Sequence, residues 1–364
     1  MSDFHAPRSL SVDFTHPNPT IVSAYSICRT AEHVVDQPLD DPTKKANLKL
    51  INIRILGHLL SQSCLLQDEA ISTVAISIVS CRTGAAGPDE RDVEALNELG
   101  KYYSNYLIRP FRKFKGLTPD VSSPPSRPSS KLTKEKVDQI LADTSKSYSK
   151  WKDLAMQRED FRCIVTRVLD MTYAEKNQFP RDTKVETLEF CHIFAEPTNY
   201  DIEDNTNKRD YSCNTWSMLK SFGYTRIVED LASAEKIHSL ENVMVMSHTL
   251  RDHFDKLNMW FEPIEGAPNH YRIRAVWGLP GPLADGQEIT LQSTDPRLAL
   301  PNPEYLRIHA ACCRVAHLSG ASGLFNKLER DMAADPDPTT EAQDFARALH
   351  AHLDHLALTA NEIH

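Results

Sequence analysis

The sequence predicts an α+β fold: a helical N-terminal region, a central strand–strand–helix core and a C-terminal helical segment. Three observations carry that expectation. Apolar residues recur at helical spacing through residues 44–115. Val185–Phe194, VETLEFCHIF, alternates as a half-buried strand does. From Asn242 a short apolar run, NVMVM, leads to Ser247, a favoured N-cap residue, and then to a charged helical segment.

The elements follow in order. Residues 1–43 are rich in Pro, His and Asp and read as an irregular N-terminal segment. The helical region 44–115 begins with Lys44–Leu66, where Leu48, Ile51, Ile55, Leu59 and Leu60 fall at helical spacing. Asp68–Cys81 and Arg91–Lys115 are its second and third helices. Residues 116–133 form a Pro/Ser-rich linker, GLTPDVSSPPSRPSS at its heart. The core domain spans 134–331. It opens on a helix, Lys134–Asp160, then a strand over Phe161–Leu169 and the alternating strand that ends at His192. Residues 196–212 are polar and read as a loop. Short helices at Asn214–Phe222 and Thr225–Ser233 are divided by Gly223. The strand from Asn242 and a helix from His248 to about Leu257 come next. Met259–Ile264 and His270–Trp277 form a hairpin, and Ile289–Ser293 is a further strand. Pro303–Asp331 is a long helix with a break at Gly320. Residues 332–364 are a tail with a His-rich helix carrying His350, His352 and His355.

Composition bounds the function. The chain has 364 residues, 41% hydrophobic and 25% charged, with a formal net charge of −9. That is globular, and the acidic balance argues against nonspecific coating of duplex DNA. Locally, residues 101–136 hold nine Lys or Arg against Asp120 and Glu135. The eight cysteines form no CxxC pair and read as free thiols in a reducing compartment. The start, MSDFHAPRSLSVDF, lacks the pattern of a signal peptide, and no run of about 18 apolar residues appears. The expectation is an intracellular protein, in cytoplasm or nucleus, without a membrane partner and with protein partners left open.

The residues that could carry chemistry lie in the core. Strand, His192, interrupting loop, Asn242, strand and polar-faced helix follow one another in the order of a ββα-metal site. Phosphodiester hydrolysis needs a base for water, and a neutral imidazole serves near pH 7. It also needs a cation to stabilise charge on phosphate and leaving oxygen. An amide with both donor and acceptor can pin the loop that holds the base. His192 and Asn242 are therefore the candidate catalytic residues. The plainer reading makes His192 a packed strand-end histidine and Asn242 a turn residue.

The stretch Arg162–Pro263 resembles the HNH endonuclease module of fungal proteins of unassigned role. The matching pieces are RCIVT at 162–166, CHI at 191–193, NTWSMLKSFG at 214–223, SLENVMVMS at 239–247 and HFDKLNMWFEP at 253–263. The flanks PSRPS at 125–129 and LPNPEYLRIHAACCRVAHLSGASG at 300–323 are similar to the same proteins, so the resemblance covers most of residues 45–331. It implies metal-dependent cleavage of DNA, with the histidine of the CHI triplet as general base and a divalent ion (Mg, Mn or Zn) as cofactor.

One departure stands out. The family places a metal-binding histidine nine residues after the Asn and three before the Phe-Asp pair, and here both counts reach Arg251. An arginine stays protonated and cannot ligate a metal. On a helical wheel His248, Arg251, Asp252 and Asp255 share one face, whereas His253 falls with Leu250, Phe254 and Leu257. Asp255 and His248 are therefore the candidate metal ligands, and His253 is read as core-facing. The other family metal position is Cys191, which on a strand points away from His192. Arg251 is open to two further readings, a surface arginine or a positive partner for phosphate. The alternative function is a catalytically degenerate or repurposed HNH fold, acting as a binding or assembly module or on a small molecule. A second cluster, His309, Cys313 and His317, lies at i, i+4 and i+8 and reads as core packing rather than a zinc site.

Overall fold

The computed structural model describes residues 4, 6–36, 48–84, 89–112, 148–195, 206–232 and 236–334. The chain mixes helices with short strands, in keeping with the α+β expectation. The described residues up to Tyr103 are mainly helical: α1 (Pro19–Val35), α2 (Leu48–Leu60), α3 (Asp68–Ser80) and α4 (Glu90–Tyr103). The 44–115 region accordingly holds three helices as the periodicity predicts. The last of them widens into one π-helical turn, Ser104–Ile108, and then tightens to a 3-10 turn at Arg109–Phe111.

Helix α1 corrects the reading of residues 1–43 as irregular. Asn18 caps it by accepting from the Thr20 amide at 2.9 Å, and Pro19 stands at its first position, where no amide is needed. The residues ahead of it are irregular but anchored. The Arg8 amide donates to the Leu318 carbonyl at 2.8 Å, the Arg8 carbonyl lies 3.0 Å from His58 Nε2, and the Phe4 ring packs edge-on against Trp260.

After α5 (Tyr148–Arg158) the chain differs again from expectation. Phe161–Leu169 is a tight turn rather than a strand. Asp160, Phe161 and Arg167 take left-handed backbone, and Cys163, Ile164 and Val165 are buried in succession instead of alternating. Only Leu169–Asp170 extends, as β1, paired in parallel with β2 (Val185–Glu186) across α6 (Met171–Lys176).

The segment that matters for the site comes next. Strand β3 (Leu188–His192) pairs antiparallel with β4 (Val243–Ser247), Leu188 opposite Ser247 and His192 opposite Val243. Between them lie α7 (Thr206–Ser221) and α8 (Thr225–Leu231), divided at Gly223, whose φ of +86° suits glycine. Helix α7 begins at Thr206, inside the stretch read as loop. Ser247 is the N-cap of α9 (His248–Asp255), although its hydroxyl makes no capping bond and is buried without a partner. Strands β5 (Met259–Pro263), β6 (His270–Ala275) and β7 (Glu288–Thr290) form one antiparallel sheet.

Helix α10 (Pro303–Ser319) ends at Gly320, left-handed at φ +92°, and α11 (Ala321–Ala334) continues. Helix α10 packs on α2 and on β5 at once, so a single continuous apolar core joins regions 44–115 and 134–331. The linker 116–133, most of the basic stretch 101–136 and the histidines at 350, 352 and 355 lie outside the described residues. No described helix is long and apolar enough to cross a membrane.

A buried ion pair finishes the outer edge of β4. Arg158 donates to the carbonyls of Leu240 (2.7 Å), Val243 (2.8 Å) and Ala299 (2.9 Å), and it pairs with Glu159. Glu159 accepts from the Val245 amide at 2.9 Å, and the Ile164 amide donates to the Val245 carbonyl. A two-stranded ribbon would otherwise leave these groups unpaired inside the core. Burial pushes the Glu159 carboxyl up to about 7 against the pull of Arg158.

Candidate functional site

Alternation along β3 sorts its side chains between two faces. Glu189 and Cys191 face α9, while Phe190 and His192 face the other way. Helix α9 packs against both β3 and β4, buries Leu250 and Phe254, and turns Arg251 and Asp255 toward β3.

On the α9 side the structure brings together four of the expected residues and one that the sequence did not flag. Arg251 Nε donates to Asp255 Oδ2 at 3.2 Å, one turn along the helix, and its Nη1 donates to Glu189 across the gap to β3. Asp255 Oδ1 lies 3.6 Å from Cys191 Sγ. His248 Nδ1 is 2.8 Å from the other Glu189 oxygen, with its ring mostly in solvent. Glu189 could have been found as the residue two before Cys191 on an alternating strand.

The electrostatics are those of a closed ion-pair set. Burial works against the Arg251 charge, but Asp255, Cys191 and Glu189 outweigh it and raise the guanidinium pKa above its ordinary value. Burial likewise raises the Glu189 carboxyl, yet the bonds from His248 and Arg251 dominate and hold it below the usual range. The positive charge that the two carboxylates require is thus supplied by the chain itself. Among the described residues no group of three or more His, Cys, Asp or Glu is arranged to hold a metal ion.

His253 stands apart from this set. It is half-buried beside Leu250 and Phe254, its Nδ1 is buried without a hydrogen-bond partner, and burial lowers its pKa.

On the other face of β3, His192 meets a residue that sequence reasoning missed. His192 Nε2 and His238 Nδ1 are 2.9 Å apart. His238 ends a 3-10 turn, Lys236–His238, four residues before Asn242, and no pattern in the sequence marks it. Asn242 is fully buried. Its Nδ2 donates to the Phe194 carbonyl (3.0 Å) and the Ile237 carbonyl (2.8 Å), and its Oδ1 accepts from the Phe194 amide (2.9 Å). The backbone at Phe194, two residues after His192, is therefore pinned by this amide.

His309, Cys313 and His317 are all buried in α10. The His309 ring stacks on Phe254 at 3.9 Å, which drives its pKa down to about 3 through burial, and His317 Nε2 donates to the Leu257 carbonyl at 2.8 Å. No disulfide joins any of the eight cysteines, all of which are among the described residues. No family model, no curated protein and no solved structure matches this chain.

Proposed function

We propose that this chain is an HNH-like ββα module that works by binding, as a nucleic-acid-binding or assembly module, and not by metal-dependent hydrolysis. One observation carries the reading: Arg251 sits between Glu189 and Asp255, with Cys191 against Asp255. The resemblance assigns that position to a metal-binding imidazole. Here a fixed cation takes the carboxylates a divalent ion would need. A second cation beside it would be repelled by about 4 kcal/mol per unit of charge, at about 4 Å and an effective dielectric of roughly 20. The residues present do not fit a divalent cation. DNA is the partner class the resemblance implies.

Calorimetric titration with Mg²⁺, Mn²⁺ and Zn²⁺, run beside gel assays on single- and double-stranded DNA, tests this. The expected result is no stoichiometric ion binding and no cutting, with salt-dependent retention of DNA. Stoichiometric ion binding together with DNA cleavage overturns it.

A second reading is the metal-dependent nuclease that hydrolyses DNA with His192 as general base. It is favoured by the placement of His192 at the end of β3, with the backbone at Phe194 locked by Asn242. Under it, His192→Ala stops cleavage while the fold survives. A folded His192→Ala protein with full activity removes it.

A further inference from the structure

Asn242 holds two segments at once. Phe194, which it bonds twice, lies two residues after His192, and Ile237, which it bonds once, is the residue before His238. The Ile193 amide also donates to the Asn242 carbonyl at 2.8 Å. The backbones that carry the two imidazoles are therefore fixed by one buried residue. Phe190 sets the His192 ring further, edge-on at 5.1 Å between centroids.

The two rings point nearly end to end. Their centroids are 5.0 Å apart for a nitrogen–nitrogen gap of 2.9 Å, close to that gap plus the two ring radii. That is the alignment of a hydrogen bond. Two nitrogens held by one tetrahedral metal would lie about 3.3 Å apart instead. A neutral imidazole has one N–H and one lone pair, so a single hydrogen lies between the rings.

We propose that His238 is the positioning residue of His192: the two imidazoles share one hydrogen, and His238 thereby fixes which nitrogen of His192 donates and which accepts. If His192 Nε2 donates to His238, Nδ1 of the neutral His192 ring is a bare acceptor. If Nε2 accepts, Nδ1 carries the proton. Whatever meets His192, whether water or a phosphate oxygen, meets a nitrogen with a preset character. The inference rests on His192 being a working group, which both readings of the fold allow. It holds apart from the Arg251 set, which faces the other side of β3.

The test uses the full chain labelled with ¹⁵N-histidine and long-range ¹H–¹⁵N correlation at neutral pH. In the native protein His192 should show one protonated and one bare nitrogen, with a nitrogen–nitrogen coupling to His238 across the hydrogen bond. His238→Phe keeps an aromatic ring and removes the partner nitrogen, so the His192 signals should collapse toward averaged values. His238→Gln, which can donate and accept, should restore the split in part. An unchanged His192 pattern in folded His238→Phe overturns the proposal. Should that variant fail to fold, the coupling in the native protein decides, and its absence overturns the proposal as well. Neither cleavage nor DNA binding is read, so this outcome is separate from that of the proposed function.

Discussion

Arg251 Nε meets Asp255 Oδ2 at 3.2 Å within one turn of α9, while the same guanidinium reaches Glu189 on β3. The strand and the helix are thus tied by a side chain at the position where the resemblance expects a metal ligand. Arg251→Ala leaves two half-buried carboxylates without their cation, and stability should fall by about 1–3 kcal/mol. Arg251→His removes the fixed charge and puts an imidazole beside Cys191 and Asp255. Calorimetry should then detect Zn²⁺ or Mn²⁺ binding stronger than that of the native chain. An unchanged titration would show that charge at residue 251 is not what excludes the ion.

His253→Ala should leave metal titrations as they are and cost stability through lost packing, by less than about 1.5 kcal/mol. Its ring is half-buried, yet its Nδ1 makes no hydrogen bond to lose. A variant in which His253→Ala abolishes ion binding gained by Arg251→His would place the ligand at residue 253 instead.

Asn242→Ala orphans the amide and carbonyl of Phe194 and the carbonyl of Ile237, all in the core. The cost should be on the order of 3 kcal/mol, read as a lower denaturant midpoint at constant slope. Asn242→Asp should do no better, because its carboxylate would face two carbonyl oxygens. A midpoint unchanged in either variant would mean that the loop finds other partners.

Arg158 and Glu159 invite a double-mutant cycle. Arg158→Met alone strands a buried carboxylate and three carbonyls, and should cost about 3–5 kcal/mol. Arg158→Met with Glu159→Leu should recover part of that loss, since no lone charge stays in the core. Strict additivity would argue that the two side chains act independently.

Two buried histidines should weaken the fold in acid. Burial lowers His58 to about 4 and His309 to about 3 from an ordinary value of 6.5. Between those limits the unfolded chain takes up protons that the two folded histidines refuse, so their share of the stability is full above pH 6.5 and is lost as pH falls toward 4 and then 3. Glu159, raised to about 7, acts in the opposite sense as pH falls from 7 to 4.5. For His58 the loss amounts to about 3 kcal/mol. His309→Leu should flatten the lower part of that slope. Denaturant midpoints of the native chain and of His309→Leu measured across the range check this, and identical pH profiles for the two contradict it.

The elements with long apolar periodicity were legible in the sequence. Helices α2, α3 and α10, the break at Gly320, the β5–β6 hairpin and the β3 and β4 strands all lie where pattern and turn residues put them. Helix α1 was not, because Pro and His density ahead of it hid a Pro at a helix start. Phe161–Leu169 misled because its apolar run packs around left-handed residues, a conformation that composition does not announce. In the site, Asn242 was nameable from the order of the elements, Asp255 from the helical wheel, and Arg251 from the position the resemblance assigns to a metal ligand. His238 was not, since it works through residue 192, far along the chain; Glu189 shares a strand face with Cys191, but its partners at residues 248 and 251 are set by the fold.

The anchoring of residues 4–10 has a consequence in time. Phe4 needs Trp260, and the Arg8 amide needs the Leu318 carbonyl, so this segment has no complete seat until more than three hundred further residues have been made. At synthesis rates of about 5–20 residues per second, it waits roughly 15–60 s on the ribosome. During that wait the groove between α2 and the unmade α10 stays open. A chaperone that covers it would raise the yield of native protein, and the effect should vanish when the finished chain is refolded from denaturant.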